Sequence, residues 1–345
     1  MLLLGYQVVP ELGCADSEKS ARPRTEGAES ERPGTVLLFC RKKISLYDVY
    51  WNMDRVVLFF MTLLSRLPLR VHYAFSSFLA WLLQKVLHYR VQTVNINIAR
   101  SFPELNYKEI REVVDDFYHH LADTVVESVW MLTASTEAVG RQVRITGQDA
   151  LNKALSLNRN AVIMVGHLGN WEIFTGLPDL RSHYGIDIDN KDFLYVYKRP
   201  KSKLADKVIT RIRTRHGSCS LIESHQIIRH IVRHREGRQA FFFICDQNPP
   251  HCMSRFIADF LNQKTYMIEG PETVAAKMGM PVLYCGLIRH GRKDNEAHFE
   301  LIAENAAECP EGFITERFAR LLEADIIEHK STWLWSHKRW KKRIS

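Results

Sequence analysis

The chain has 345 residues, 46% hydrophobic and 25% charged. This excludes a wholly disordered chain and allows one large α/β domain with appendages. A mean hydropathy of −0.21 argues against a polytopic membrane protein. Forty-seven Lys and Arg against 39 Asp and Glu leave a formal charge of +8, which favours an acidic partner without choosing among nucleic acid, anionic lipid and an acidic carrier protein.

Residues 1–45 differ from the rest. Glu11 to Gly34 mixes Glu, Ser, Arg, Gly and Pro with no apolar period and reads as disordered. Met1 to Val9 lacks the basic flank and apolar stretch of a cleaved signal peptide, and a start codon placed too far upstream is the other reading of this extension. Residues 46–92 form the membrane candidate: Val56 to Ser65 is apolar, Arg66 and Pro68 interrupt it, and Ala74 to Leu87 resumes. The first run is about half the ~20 residues of a bilayer crossing. Two amphipathic helices at the interface fit better, with Trp51, Tyr73, Trp81 and Tyr89 at headgroup level; a pair of ordinary core helices is the alternative.

Tyr107 to Leu132 carries Ile110, Val113, Val114, Phe117, Leu121 and Val125 on one helical face. Strands are then predicted over 161–167, 193–200, 239–247 and 282–290. Helices are predicted from Asn170, over 203–215, 226–236 and 270–281. The alternation predicts an α/β fold with a mostly parallel sheet flanked by helices. Seven cysteines, odd in number and without a C-x-x-C pair, read as reduced thiols of a cytoplasm-facing protein.

The sharpest chemical feature is His167-Leu-Gly-Asn-Trp-Glu172, between a strand and the next helix. Sites in open α/β sheets gather at the carboxyl ends of strands. A His there can act as general base, with a carboxylate five residues on to orient and stabilise its imidazolium. Gly169 lets a ligand approach the backbone, and the amides near Gly169 and Asn170 can face an oxyanion. The alternative is a His that caps a helix while Glu172 meets solvent.

GHLGNWE resembles the H-x4-D/E signature of glycerolipid acyltransferases, in the form found in the bacterial lipid A late (lauroyl/myristoyl) acyltransferase family. Further motifs follow in that family's order: Asn95 with Ser101-Phe102-Pro103-Glu104, a helix leading to Glu127, Tyr197-Lys198-Arg199-Pro200, Asp246-Gln247, Gly270-Pro271-Glu272, and Trp335-Ser-His-Lys-Arg-Trp340. The resemblance covers about residues 50–343. One departure is Phe260-Leu261-Asn262-Gln263, where the family often has Phe-Phe-Gly; it bears on acyl length and acceptor more than on chemistry.

The resemblance implies an acyltransferase domain over 93–345. It would move a fatty acyl chain from acyl carrier protein or acyl-CoA to a hydroxyl of an anionic glycolipid, a lipid A precursor, at the cytoplasmic face of the inner membrane. His167 would be the base and Glu172 its partner, with no cofactor, metal or acyl-enzyme. Arg199 is a candidate clamp for phosphate or the thioester oxygen, or else a surface Arg beside Pro200. Asp246 and Gln247 would position substrate beside His167, or serve a structural hydrogen-bonding role.

Charge is concentrated in residues 198–238, where twelve Lys and Arg against three acids give +9, and five more cations lie between Lys338 and Arg343. These suit anionic lipid or an acidic carrier. No nucleic-acid-binding signature accompanies them. His225, His230 and His234 share a helix without a carboxylate ligand, so a metal role is not expected. The competing functional readings are an acyltransferase on a lysophospholipid or an amino-acid-derived lipid, and a non-catalytic anionic-lipid-binding protein.

Overall fold

The computed structural model describes residues 46–341, apart from 158, 201, 215–218 and 250–255. The expectations placed on residues 1–45 lie outside the described residues. Helices α1 (Leu46–Ser65) and α2 (Leu69–Trp81) meet at Pro68, which cannot continue a helix, and bend by 117°. A π-helical turn, Leu82–Val86, extends α2. Then come α3 (Val91–Ser101) and α4 (Tyr107–Trp130). A reciprocal cap fixes the start of α4: the Asn106 side chain accepts from the Lys108 and Glu109 amides, and Glu109 accepts from the Asn106 amide.

Next in chain order come α5 (Thr136–Gly140), β1 (Val143–Thr146), α6 (Gln148–Ser156), β2 (Ala161–Val165), α7 (Leu177–Leu180), β3 (Phe193–Tyr197), α8 (Lys203–Arg213), β4 (Ser220–Glu223), α9 (Ile227–Arg233) and β5 (Ala240–Ile244). The hairpin β6 (Ile257–Phe260) and β7 (Gln263–Tyr266) follows, then α10 (Gly270–Met278), β8 (Val282–Gly291), β9 (Asp294–Ala303) and α11 (Phe313–Glu328).

Seven strands form one sheet in the order β1-β9-β8-β2-β5-β3-β4. Every neighbouring pair is parallel except β8 with β9. The mostly parallel sheet flanked by helices agrees with the sequence, and the expected strands are β2, β3, β5 and β8. The helix expected from Asn170 is instead a 3-10 turn, Trp171–Gly176, that runs into α7. β2 and β3 are buried along their whole length, as are Phe241, Phe242 and Phe243 of β5. Tyr195 stacks on Phe242 with ring centroids 4.6 Å apart.

The register of β2 and β5 sets the site. Val165 pairs with Ile244, so the residues two positions beyond, His167 and Asp246, leave the sheet side by side.

α1 and α2 present apolar side chains outward: Phe59 is 65% exposed, Phe75 55% and Trp81 52%, with Phe60, Leu63, Leu64, Val71 and Phe78 beside them. Among the described residues no single helix is long and apolar enough to cross a membrane. Tyr73, expected at headgroup level, is buried and donates to Glu127. The side chain of Trp51 lies outside the described residues.

The Gly-Pro-Glu motif braces the start of α11. Gly312, at φ +83°, offers that helix no side-chain cap. Buried Glu272 reaches across from α10 instead, accepting from the Gly312 amide at 2.7 Å, the Thr315 amide at 2.9 Å and the Thr315 hydroxyl. Glu272→Ala is expected to cost roughly 1–3 kcal/mol by orphaning these donors, seen as a lower urea midpoint; an unchanged midpoint would remove the cap from this account.

Candidate active site

The loop after β2 is shaped by two glycines. A Cβ on Gly166 would come within 2.6 Å of the Leu322 side chain. Gly169 sits at φ +56°, where a Cβ would lie 2.6 Å from the Leu287 carbonyl oxygen, so both backbone strain and close approach demand glycine. The loop is closed from outside by the chain's C-terminal segment. The Gly169 amide donates to the Thr332 carbonyl at 3.0 Å, the Leu334 amide donates to the His167 carbonyl at 3.1 Å, and Leu168 and Trp333 form an antiparallel bridge.

His167 is 3% exposed and Asp246 is 2%. Asp246 holds His167 twice: Oδ1 lies 2.6 Å from Nδ1, and Oδ2 accepts the His167 amide at 2.8 Å. Trp333 donates its indole N–H to the same Oδ2 at 2.7 Å. Burial acts to raise the Asp246 pKa, but the charge and hydrogen bonds of His167 and the bond from Trp333 outweigh it, holding the carboxyl at about 2. An ionised carboxylate only accepts, so Nδ1 carries a proton, and in the neutral imidazole the lone pair is on Nε2. The Gln247 amide nitrogen sits 3.2 Å from Nε2. This is the geometry of a general base held in one tautomer.

Glu172 does not make the contact expected of it. Its two oxygens meet Arg213, from Nε at 2.9 Å and from Nη2 at 2.8 Å, in a buried bidentate pair. The carboxylate that orients His167 is Asp246. The reason is the path of the chain: it passes Gly169 in a left-handed conformation and winds into a 3-10 turn. The five-residue spacing therefore does not return Glu172 to the imidazole, while the neighbouring strand end delivers Asp246. In the sequence Arg213 is one cation of the basic segment 198–238. Its signal was position, since it lies on the buried stripe of α8 with Ala205, Val208, Ile209 and Ile212. Burial opposes its charge, but Glu172 more than compensates and raises its pKa.

Asn170 is fully buried, and both ends of its carboxamide are engaged: Nδ2 donates to Glu127 at 2.9 Å and Oδ1 accepts from the Glu172 amide at 3.2 Å. Glu127 also accepts from Tyr73 at 2.7 Å and from both terminal nitrogens of Arg289. Arg289 bridges on to Asp123, which Arg292 also grips. Burial, then the Glu127 charge and hydrogen bond, push the Tyr73 phenol well up. Tyr73, Asp123, Arg289 and Arg292 were not singled out from sequence as members of this network.

The structure thus brings His167, Asp246 and Gln247 together, with Gly169 and Asn170 shaping the loop. Arg199 lies apart. It closes β3, separated from β2 by β5 and so about 10 Å away across the sheet. Its side chain is 60% exposed and pairs with Glu223 at 2.5 Å. His230 stacks on His234 and faces Gln239. Among the described residues no group of three or more His, Cys, Asp or Glu is placed to hold a metal ion.

The sequence profile described as bacterial lipid A biosynthesis acyltransferase matches residues 40–342. A comparison with curated proteins finds no match.

Gly169→Ala is expected to destabilise the fold by roughly 1–3 kcal/mol through strain at a positive φ and to shift His167 with the loop. Thermal denaturation with a parallel activity assay checks it, and a variant with unchanged melting and rate would contradict it.

Proposed function

Because the chain belongs to the bacterial lipid A biosynthesis acyltransferase family, we propose that it carries a fatty acyl group from an acyl carrier protein or acyl-CoA thioester to a hydroxyl of a lipid A precursor. The membrane setting in this reading is the cytoplasmic face of the inner membrane. The observation that carries the mechanism is the His167–Asp246 contact, which engages Nδ1 of a buried imidazole while Nε2 faces the Gln247 amide, a partner that a substrate hydroxyl can displace.

In this reading Nε2 takes the hydroxyl proton as the oxygen attacks the thioester carbonyl. Asp246 stabilises the imidazolium that forms, and the proton then goes to the departing thiolate. No covalent acyl-enzyme is needed. Glu172 acts at one remove, because its pair with Arg213 fixes the turn that follows His167. Asp246 and Gln247 hold and screen the base, and exposed Arg199, paired with Glu223, is a candidate contact for an anionic headgroup rather than for the reacting carbonyl. The outward apolar face of α1 and α2 supports docking on a lipid surface, since contiguous exposed patches of this kind mark interaction sites.

The test is acyl transfer by the purified protein from lauroyl or myristoyl thioesters to a lipid A precursor. His167→Ala is expected to lose roughly 10²–10⁴-fold, and Asp246→Asn, which permits the wrong tautomer, up to roughly 10⁴-fold. Undiminished turnover in His167→Ala would sink the mechanism, and an unchanged lipid A acyl count in cells lacking the protein would point to another acceptor. For the surface, Phe75→Glu with Phe78→Glu is expected to reduce co-flotation with anionic phospholipid vesicles. Flotation equal to the parent would dismiss that face as the docking surface.

A further inference from the structure

Attack on a thioester places negative charge on the carbonyl oxygen, and preorganised donors must face it. The Gly169 amide is taken by Thr332 and the Asn170 carboxamide by Glu127 and the Glu172 amide, while exposed Arg199 lies apart from the loop and pairs with Glu223.

The segment that docks on His167 carries donors that are not engaged. Arg339 is 2% exposed. Its Nη2 donates to the Tyr266 carbonyl at 2.5 Å and touches the Met267 sulfur at 3.1 Å, while Nε and Nη1 have no partner among the described residues. Among the described residues no carboxylate pairs with it. Of nine buried side-chain polar atoms without a partner among the described residues, five belong to Arg339, His337, Ser336 and Gln247. Gln247 is the residue against His167 Nε2.

This segment is held rigidly. Asn97 donates to the carbonyls of Trp335 and His337, both at 2.9 Å, and Arg90 donates to the Ser336 carbonyl at 2.7 Å. Trp333 is tied to Asp246 and Trp340 to Thr265. Burial pushes the Arg339 pKa down to about 10, opposed by Asp246, so the side chain stays cationic at neutral pH. A buried, unpaired cation destabilises a fold, and an apolar side chain of similar volume would serve packing as well or better. A clamped guanidinium with idle donors is suited to a charge that exists only during the reaction.

We propose that Arg339 stabilises the carbonyl oxyanion that forms beside His167, an assignment that rests on the acyl-transfer reading of this site. As the acceptor oxygen bonds to the carbonyl carbon, its proton passes to His167 Nε2 and the carbonyl π pair moves onto oxygen, towards Nε–H and Nη1–H of Arg339. Return of that pair breaks the C–S bond, and the thiolate takes the proton from His167.

Arg339→Met separates this role from a structural one. With lauroyl-CoA or lauroyl-acyl carrier protein as donor, kcat is expected to fall about 10²–10³-fold, with KM little changed and the melting temperature held or raised. Millimolar guanidinium is expected to restore part of the rate of Arg339→Ala. A kcat within about twofold of the parent in Arg339→Met would overturn the assignment, since a lost donor costs far more. Should the Met variant fail to fold, folded Arg339→Ala decides: rescue by guanidinium supports the proposal and no response overturns it. His167→Ala is run in parallel. No acyl transfer by the parent protein removes the acyl-transfer reading itself and undiminished turnover in His167→Ala removes the base, whereas an inactive His167→Ala beside an active Arg339→Met removes only the role of Arg339.

Discussion

The parallel, in-register pairing of β2 with β5 is the constraint from which the site follows. It sets Val165 opposite Ile244, and two residues further on each strand it delivers an imidazole and a carboxylate to one spot. Because the two chains leave a fully buried sheet centre, both groups are desolvated, and each satisfies the other. Removing one partner would leave a buried polar group unpaired, a far larger penalty than the net worth of the contact. The same burial that strengthens the hydrogen bond makes it obligatory.

Around that pair the loop is braced on separate sides. Arg213 from α8 grips Glu172 just after the loop, Glu127 from α4 grips Asn170 within it, and the C-terminal segment adds backbone bonds at Gly169 and His167. Buried ion pairs of this type add little to stability compared with apolar packing, and their value here is geometric, since a base displaced by an ångström loses much of its effect. The Glu127 network also reaches α2 through Tyr73. The helix whose outer side exposes Phe75 and Phe78 is therefore bonded on its inner side to a residue that fixes the His167 loop.

Much of this was legible in the sequence where one residue type carried a local message. The continuous apolar runs at 161–165 and 240–244 read as buried parallel strands, and GHLGNWE read as a strand-to-loop site. What could not be read was long-range pairing. Asp246 was placed beside His167, but only the register shows that it, and not Glu172, meets Nδ1. β4 is a four-residue edge strand whose brevity leaves no pattern. β9 alternates polar and apolar residues as a strand covered on one side, and its antiparallel return beside β8 departs from the βα alternation used to read the rest. Arg339 and Arg213 read in the sequence only as members of basic runs, because a charge tally carries no information on which side of a helix or tail faces inward. Asn95 was matched by motif, yet Asn97, two residues on, is the one that clamps the C-terminal segment.

The central claim is that Asp246 holds His167 as the Nδ1–H tautomer with Nε2 free to accept a proton. ¹⁵N-detected NMR of the histidine-labelled protein tests it most directly, with His167→Gln used to assign the resonance. The account predicts a protonated Nδ1 with a strongly downfield proton and a pyridine-like Nε2 at neutral pH, both lost in Asp246→Asn. A protonated Nε2 with a pyridine-like Nδ1, or a spectrum indifferent to Asp246→Asn, would contradict it.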